Sequence, residues 1–368
     1  MAEIPSPLPP KTVFRGEEPS EERSPLVVLA LQFFVIPLLI VLFCVCLFFI
    51  FRWLTFERRD VNDYLSALNT KSASSRQEAA FALLNYIQEA KRWQSLSDLN
   101  DRLRFDRGKF LRENPEFVPK LIVLFKESRG RDPKVVQYIS QVLSLVGGPE
   151  ASDALLETLK EGGPAEQDIF VMIALGKLRD TRAVPLVLER MENSDTGVKY
   201  AALFSLGFFD DPRAVDALKR ALNDPDPLAD WNAAFSLARQ SASKGGQGGG
   251  ANEAAVPALR RLLDAEFVQR VAAGGRLAPP NGAERPGEAD GAKGPLLNQA
   301  QIELYRIRAV QLLGVFLNDS LRADLQKVAD GDPQLGVRQA AIDVLRGVDT
   351  RGTTANAVDG MIEFQTKQ

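Results

Sequence analysis

Few residues in this 368-residue sequence could do nucleophilic or metal chemistry. It contains no histidine, and its two cysteines, Cys44 and Cys46, lie within one apolar run. Nucleophile pairs that need histidine, histidine zinc sites and a disulfide framework are therefore excluded. Cys44 and Cys46 could carry a lipid or a redox function, or they could simply fill space as small apolar residues. We expect no catalytic residue and no cofactor site, although carboxylates alone could still do acid–base work.

Aspartates occur close together at several places, for example Asp210 with Asp211 and Asp330 with Asp332. A metal site is one interpretation, but the spacing of a calcium-binding loop is absent. Helix capping is the other interpretation, because Asp accepts hydrogen bonds from the free N–H groups of a first helical turn, and Pro is favoured directly after it. The capping positions explain these aspartates, so we expect no metal.

Two arginines occupy equivalent positions 31 residues apart, and each lies two residues after an aspartate. They are Arg182 after Asp180 and Arg213 after Asp211. A ladder of arginines could bind phosphate or an acidic peptide. Alternatively, each arginine pairs with its neighbouring aspartate or with one in the next unit of the fold.

Charge and composition argue against nucleic acid as a partner and against a phosphate-binding loop. The 48 acidic and 45 basic residues give a net charge of −3, so the basic excess typical of nucleic-acid-binding proteins is missing. The glycine-rich run at 245–250 has no Lys-Ser ending and no preceding strand, so it is read as a linker and not as a phosphate loop. No nucleic-acid partner is expected.

An apolar segment near the start of the chain has a length suited to a bilayer. The run from Leu26 to Phe51 contains no charged residue. Because a helix rises about 1.5 Å per residue, such a run could cross a hydrocarbon layer of about 30 Å. We predict a transmembrane helix over residues 25–53, anchored by Leu26, Phe51 and, at the interface, Trp53. A cleaved signal peptide and a buried core helix are the alternatives.

The predicted span implies a single-pass membrane protein with the lipid bilayer as a partner, most simply in a bacterial inner membrane. Three basic residues precede the span and three follow it, so the positive-inside rule gives no orientation. The acidic tail before the span slightly favours a cytoplasmic location for the rest of the chain. We expect residues 1–24 to be a disordered tail and residues 54–74 to be a juxtamembrane connector.

A repeat of about 31 residues follows. Residues 175–185 and 206–216 share a Leu-Gly pair, then an Asp, an Arg and an Ala-Val pair, at a constant offset of 31. Each unit also has a second helix start, and these are Asp132-Pro133, Gly163-Pro164, Asp195-Thr196, Asp226-Pro227 and Asp332-Pro333. Apolar residues then recur at helical spacing. Each unit is therefore predicted to be two short antiparallel helices.

The unit resembles HEAT repeats, in particular the short bacterial kind also found in phycobilisome bilin-lyase subunits. The residues that carry the likeness are Asp195, Val198, Lys199, Ala202 and the pair Leu206-Gly207. The resemblance implies an all-α fold, an α-solenoid of about six helical hairpins over residues 75–348. Residues 241–252 and 273–297 are predicted to be flexible insertions, and residues 349–368 a disordered tail.

The predicted function is that of a membrane-anchored, non-enzymatic scaffold that binds other proteins and helps to assemble, hold or regulate a membrane-associated complex. Second helices of a HEAT hairpin line the concave wall, so the candidate partner-binding residues lie there. They are Lys199, Tyr200, Trp231, Asn232 and Arg338. Packing in the core is the alternative role for the aromatic residues. The resemblance also implies a second function, an accessory subunit of a lyase-type enzyme.

Overall fold

The computed structural model describes residues 36–55, 61–96, 107–192, 196–243, 253–273 and 297–347. Every regular element in these ranges is a helix. The chain divides into two compact units, Met1–Arg59 and Asp60–Gln368. The predicted disordered tails and most of both predicted insertions lie outside the described residues.

The first unit contains one described helix, α1 (Ile36–Thr55), and this helix corrects the prediction of a membrane span. Its last four residues begin with Arg52, so its apolar part comprises 16 of its 20 residues. That part is about 24 Å long, which is shorter than a hydrocarbon core of about 30 Å. No described helix has both the length and the apolar character that a bilayer crossing requires. The predicted single-pass membrane localisation, with its slight preference for a cytoplasmic solenoid, is therefore wrong.

The side chains of the three predicted membrane anchors lie outside the described part of the chain. Leu26 lies outside the described residues, and the side chains of Phe51 and Trp53 also lie outside them, although both residues belong to α1. No described contact supports the lipid bilayer as a partner.

The second unit is built from short helices. In chain order they are α2 (Val61–Leu68), α3 (Ala73–Leu96), α4 (Arg107–Glu113), α5 (Phe117–Ser128), α6 (Pro133–Val146), α7 (Pro149–Glu161), α8 (Ala165–Leu178), α9 (Val184–Glu192), α10 (Thr196–Leu206), α11 (Pro212–Ala221), α12 (Pro227–Ser243), α13 (Val256–Arg261), α14 (Ala265–Ala272), α15 (Gln299–Leu313), α16 (Asp319–Gly331) and α17 (Leu335–Leu345). Short 3₁₀ turns at Thr181–Ala183, Glu253–Ala255 and Gly314–Phe316 adjoin three of them. Helix α2 lies within the range that was predicted as a connector.

These helices pair into hairpins that stack in one row. The described pairs are α2–α3, α5–α6, α7–α8, α9–α10, α11–α12, α13–α15 and α16–α17. The second helix of each pair contacts the second helix of the next pair, from α3 to α17. A hairpin cannot bury its own apolar faces, so its neighbours must cover them. The expected α-helical solenoid is therefore present, with seven hairpins among the described residues.

Local sequence explains where the helices begin. Pro212 is the first residue of α11, and the carboxylate of Asp211 accepts a hydrogen bond from the backbone N–H of Arg213. Asn298 and Gln301 form a reciprocal capping box at the start of α15. These contacts satisfy N–H groups that have no partner within the helix.

The Leu-Gly pair of the repeat allows neighbouring second helices to approach closely. A Cβ atom added at Gly207 would lie 2.6 Å from Cβ of Ser236 on α12. At Gly176 it would lie 3.0 Å from the carbonyl oxygen of Ser205 on α10. At Gly314 it would lie 2.9 Å from Cγ1 of Val344 on α17. Glycine therefore recurs at this position because the next unit occupies the space of a side chain.

We expect the substitution Gly207→Ala to lower the free energy of unfolding by about 2 kcal/mol, because the added methyl group overpacks the contact with Ser236. Chemical denaturation of the full chain measures this change. Gly331→Ala is the matched control, since nothing lies within 4 Å of its added Cβ. The free energy of unfolding of Gly331→Ala should equal that of the wild type or exceed it by about 0.5 kcal/mol. Equal stabilities of the two variants would contradict close stacking.

Candidate functional site: a row of ion pairs and a surface groove

Two of the predicted partner-binding residues, Lys199 and Tyr200, contact the turn that precedes α12. The Lys199 ammonium lies 2.6 Å from Oδ2 of Asp224. The Tyr200 hydroxyl donates a hydrogen bond of 2.7 Å to Oδ2 of Asp226. Burial, followed by the bond to Asp226, raises the pKa of Tyr200. Both side chains therefore join α10 to the next unit.

The other three predicted residues lie on α12 and α17. Trp231 is fully buried, and its ring centroid lies 5.5 Å from that of Tyr305 on α15. The Asn232 amide donates to the carbonyl oxygen of Leu228 in its own helix. Arg338 lies in the last described hairpin, several units away from Lys199. The structure thus does not gather the five residues into one patch, and their role in partner binding stays a prediction.

A charged residue recurs at one position of the second helices, seven residues before the leucine of the Leu-Gly pair or its equivalent, which is Leu175, Leu206, Leu237 or Leu313. We call it the junction position. It is occupied by Asp168 in α8, Lys199 in α10, Asp230 in α12 and Arg306 in α15. Each residue forms an ion pair with the following hairpin, and the pairs are Asp168–Arg190, Lys199–Asp224, Asp230–Arg261 and Arg306–Asp332. The sign of the charge alternates along the row.

The sign of the charge at the junction position determines where its ion-pair partner lies in the next hairpin. Basic residues pair with an aspartate in the turn before the next second helix, as Lys199 pairs with Asp224 and Arg306 with Asp332. Acidic residues pair with an arginine in the last turn of the next first helix, as Asp230 pairs with Arg261 at 2.8 Å. These contacts connect the last five described hairpins, each to the next.

The guanidinium of Arg306 has hydrogen-bond partners on all of its nitrogen atoms. Arg306 is fully buried, and its guanidinium contacts both carboxylate oxygens of Asp332. It also donates to the carbonyl oxygens of Leu262 and Leu263 and to the side chain of Gln334. A buried charge is tolerated when it is paired and hydrogen-bonded in this way.

Asp230 is less well compensated. It is fully buried and pairs with Arg261 through Oδ2, while Oδ1 has no hydrogen-bond partner in the described residues. Burial raises the pKa of Asp230 to about 6, although Arg261 opposes this rise. Asp168 has the same kind of shift, since burial raises its pKa against the attraction of Arg190.

The two arginines in the ladder suggested by the sequence pair with their own aspartates. Arg182 lies 2.6 Å from Asp180, and Arg213 lies 2.7 Å from Asp211. The hydrogen bonds from these arginines lower the pKa values of both aspartates. The structural interpretation is therefore confirmed, and the arginines reinforce helix starts.

A surface groove of about 510 Å³ lies between α5, α7 and the turn that leads into α9. Apolar atoms of Ile122 and Leu156 line it together with charged side chains of both signs. Two ion pairs cross it, Lys126–Glu157 at 2.7 Å and Arg182–Asp153 at 2.8 Å. These four side chains are at least half exposed, so water screens the pairs and a partner could replace them.

Two further charges in the groove have no ion pair among the described residues. They are Glu150 and Lys160, and both are exposed. The groove therefore offers one acidic and one basic group beside an apolar floor. In the described ranges, no group of three or more acidic or cysteine side chains is placed to hold a metal ion. This chemistry suits a protein or peptide surface better than a small reacting molecule.

Comparison with known proteins supports the repeat. Residues 165–238 and 184–276 match the family model for HEAT repeats. The predicted HEAT repeats are thereby confirmed over α8 to α14, whereas no match supports a specifically bacterial or phycobilisome-type subfamily. No significant match is found among curated proteins.

One solved structure that matches is human deoxyhypusine hydroxylase in complex with glycerol. It is 17% identical, and the alignment covers 78% of this chain and 96% of that chain with a TM-score of 0.28. A likeness this distant carries no argument about activity.

The raised pKa of Asp230 predicts a pH dependence of stability with a definite sign. The folded chain binds this proton more tightly than the unfolded chain, whose Asp has a pKa of about 4. The contribution of Asp230 is therefore greatest below pH 4 and is lost as the pH rises through about 6. In Asp230→Asn this loss disappears. We expect the stability of the variant relative to the wild type to rise by about 2 kcal/mol between pH 4 and pH 7 in urea denaturation.

Asp211→Asn is the matched control for this measurement. The pKa of Asp211 is lowered by Arg213, so the wild type gains stability from Asp211 as the pH rises towards the unfolded value of about 4. The relative stability of this variant should fall with increasing pH, in the opposite direction. If the relative stabilities of both variants changed with pH in the same direction, the raised pKa of Asp230 would be refuted.

A charge swap tests the row of ion pairs. Lys199→Asp should destabilise the chain by about 1 kcal/mol, because two carboxylates would then meet at the junction with Asp224. Asp224→Lys should cost a similar amount, since it would face Lys199. The double variant restores opposite charges and should recover at least half of the summed loss, measured as a double-mutant cycle. Additive losses would show that Lys199 and Asp224 do not interact.

Proposed function

We propose that this chain is a non-enzymatic scaffold that binds other proteins, as an assembly, accessory or regulatory component of a complex. The observation that carries the proposal is the groove between α5 and α7, where exposed charges of both signs surround an apolar floor. Mixed charge beside apolar surface is typical of non-obligate protein interfaces. The stacked HEAT repeats support it, because a row of hairpins presents far more surface than a compact domain of equal size.

The absence of histidine from the whole sequence also favours binding over catalysis. The alternative of a lyase accessory subunit gains no support, since no described cluster of side chains favours a tetrapyrrole or any other cofactor.

Capture experiments on the full chain test the proposal. The wild type and the double variant Glu150→Lys/Lys160→Glu are isolated from the cells that naturally make the protein, and the proteins bound to each are quantified by mass spectrometry. The variant exchanges the two groove charges that have no described ion pair. Circular dichroism checks that α7 stays folded, because the exchange places a basic residue in its first turn and an acidic residue in its last turn. We expect at least one protein to be captured at least tenfold less by the variant.

Lys120→Glu/Glu127→Lys is the matched control. It makes the same exchange of charges on exposed positions of α5 that do not line the groove. Capture by this control should equal that of the wild type. If the wild type captures nothing beyond what an unrelated tagged protein captures, the scaffold function is contradicted.

A further inference from the structure

The last described hairpin has an apolar face that resembles a junction without a following unit. Two positions, four and seven residues after the junction position, are fully buried in every earlier unit of the row. The residues are Met172 and Leu175, Leu203 and Leu206, Ala234 and Leu237, and Val310 and Leu313. The equivalent residues of α17, Ile342 and Leu345, are only half buried, and Leu335 on the same face is 73% exposed.

Arg338 occupies the junction position of α17, seven residues before Leu345. In the four preceding units the residue at this position pairs with a charge from the next hairpin. The Nε atom of Arg338 is buried, yet it has no hydrogen-bond partner among the described residues. Its equivalent, Arg306, donates from Nε to the carbonyl oxygen of Leu262 and from its two terminal nitrogens to the carboxylate of Asp332. Among the described residues, no carboxylate forms an ion pair with Arg338 as Asp332 does with Arg306.

The row also indicates where a carboxylate for Arg338 should stand. Arg306 and Lys199 both pair with an aspartate in the turn that leads into the next second helix. Near the other end of the row, Arg76 of α3 pairs with Asp132, which directly precedes α6. A basic side chain between hairpins thus meets an aspartate close to a helix start, where acidic residues are favoured.

We propose that the face of α17 formed by Leu335, Arg338, Ile342 and Leu345 is a docking surface for another protein, one that presents a helix with an Asp or Glu at its start. The carboxylate pairs with Arg338 as Asp332 pairs with Arg306. Apolar residues on the following turns of the helix cover Leu335, Ile342 and Leu345, as α17 covers Val310 and Leu313. This inference rests on the proposed scaffold function and adds the chemistry of one partner.

Photo-crosslinking in the full chain tests the surface. Leu335 is replaced by the photoreactive residue benzoylphenylalanine, the protein is irradiated in the cells that naturally make it, and the adduct is mapped by mass spectrometry. We expect an adduct with another protein, within one or two helical turns of an Asp or Glu at a helix start. Arg338→Glu should reduce the adduct at least tenfold, and Arg338→Lys should retain most of it.

Arg322→Glu is the matched control, because it reverses an exposed charge on α16 of the same hairpin. It should leave the adduct unchanged. Replacing the partner's mapped carboxylate by lysine should restore the adduct to the Arg338→Glu variant. Circular dichroism of each variant checks that the helices are intact.

Other outcomes overturn the proposal. They are an adduct with residues 349–368 of the same chain, an adduct with a second copy, no adduct, or an adduct that persists in Arg338→Glu. If the face of α17 fails in one of these ways while the groove variant still loses a captured protein, the scaffold function stands and only the docking surface is refuted.

Discussion

Mutual burial of apolar faces between neighbouring hairpins is the constraint on which the second unit depends. Each second helix is covered by the next one, so that Leu175, Leu206, Leu237 and Leu313 are fully withdrawn from water. At about 25 cal/mol per Å² of apolar surface, one such face contributes several kcal/mol that an isolated hairpin would lack. Glycine at 176, 207 and 314 permits the approach that makes this burial complete. The hairpins therefore stabilise one another.

Apolar faces alone do not specify which hairpin follows which, because they are similar in every unit. The ion pairs at the junction position add this information. Each pair matches the charge on one second helix to an opposite charge on the hairpin that follows it, as Asp168 pairs with Arg190 and Lys199 with Asp224.

The sequence predicted the fold where a local signal repeats. An offset of 31 residues, Asp-Pro helix starts and the Leu-Gly pair indicated stacked hairpins, and the pairing of Arg182 and Arg213 with their aspartates followed from the same pattern. The junction row was missed because its residue types change from Asp to Lys and back. A charge recurs at the junction position, but the residue type does not. A comparison of the charge at each position of the repeat would have revealed the row.

The prediction of a membrane span was wrong for a different reason. An apolar run shows how much of a chain avoids water, but it does not show how much of that run one helix takes up, and the described helix α1 comprises Ile36–Thr55. Likewise, an aromatic residue on a second helix could face a partner or the core. Trp231 is enclosed by its contacts with the next unit, and only the three-dimensional packing shows this.

Native-state hydrogen exchange of the full chain tests most directly whether the hairpins share one core. Arg306→Met removes the buried charge between α15 and α17. We predict that amide protection falls most in α16 and α17, less in α12, and not measurably in α8, because each unit is stabilised through its neighbours. An equal loss of protection in every hairpin, or a loss confined to the amides next to residue 306, would contradict the account.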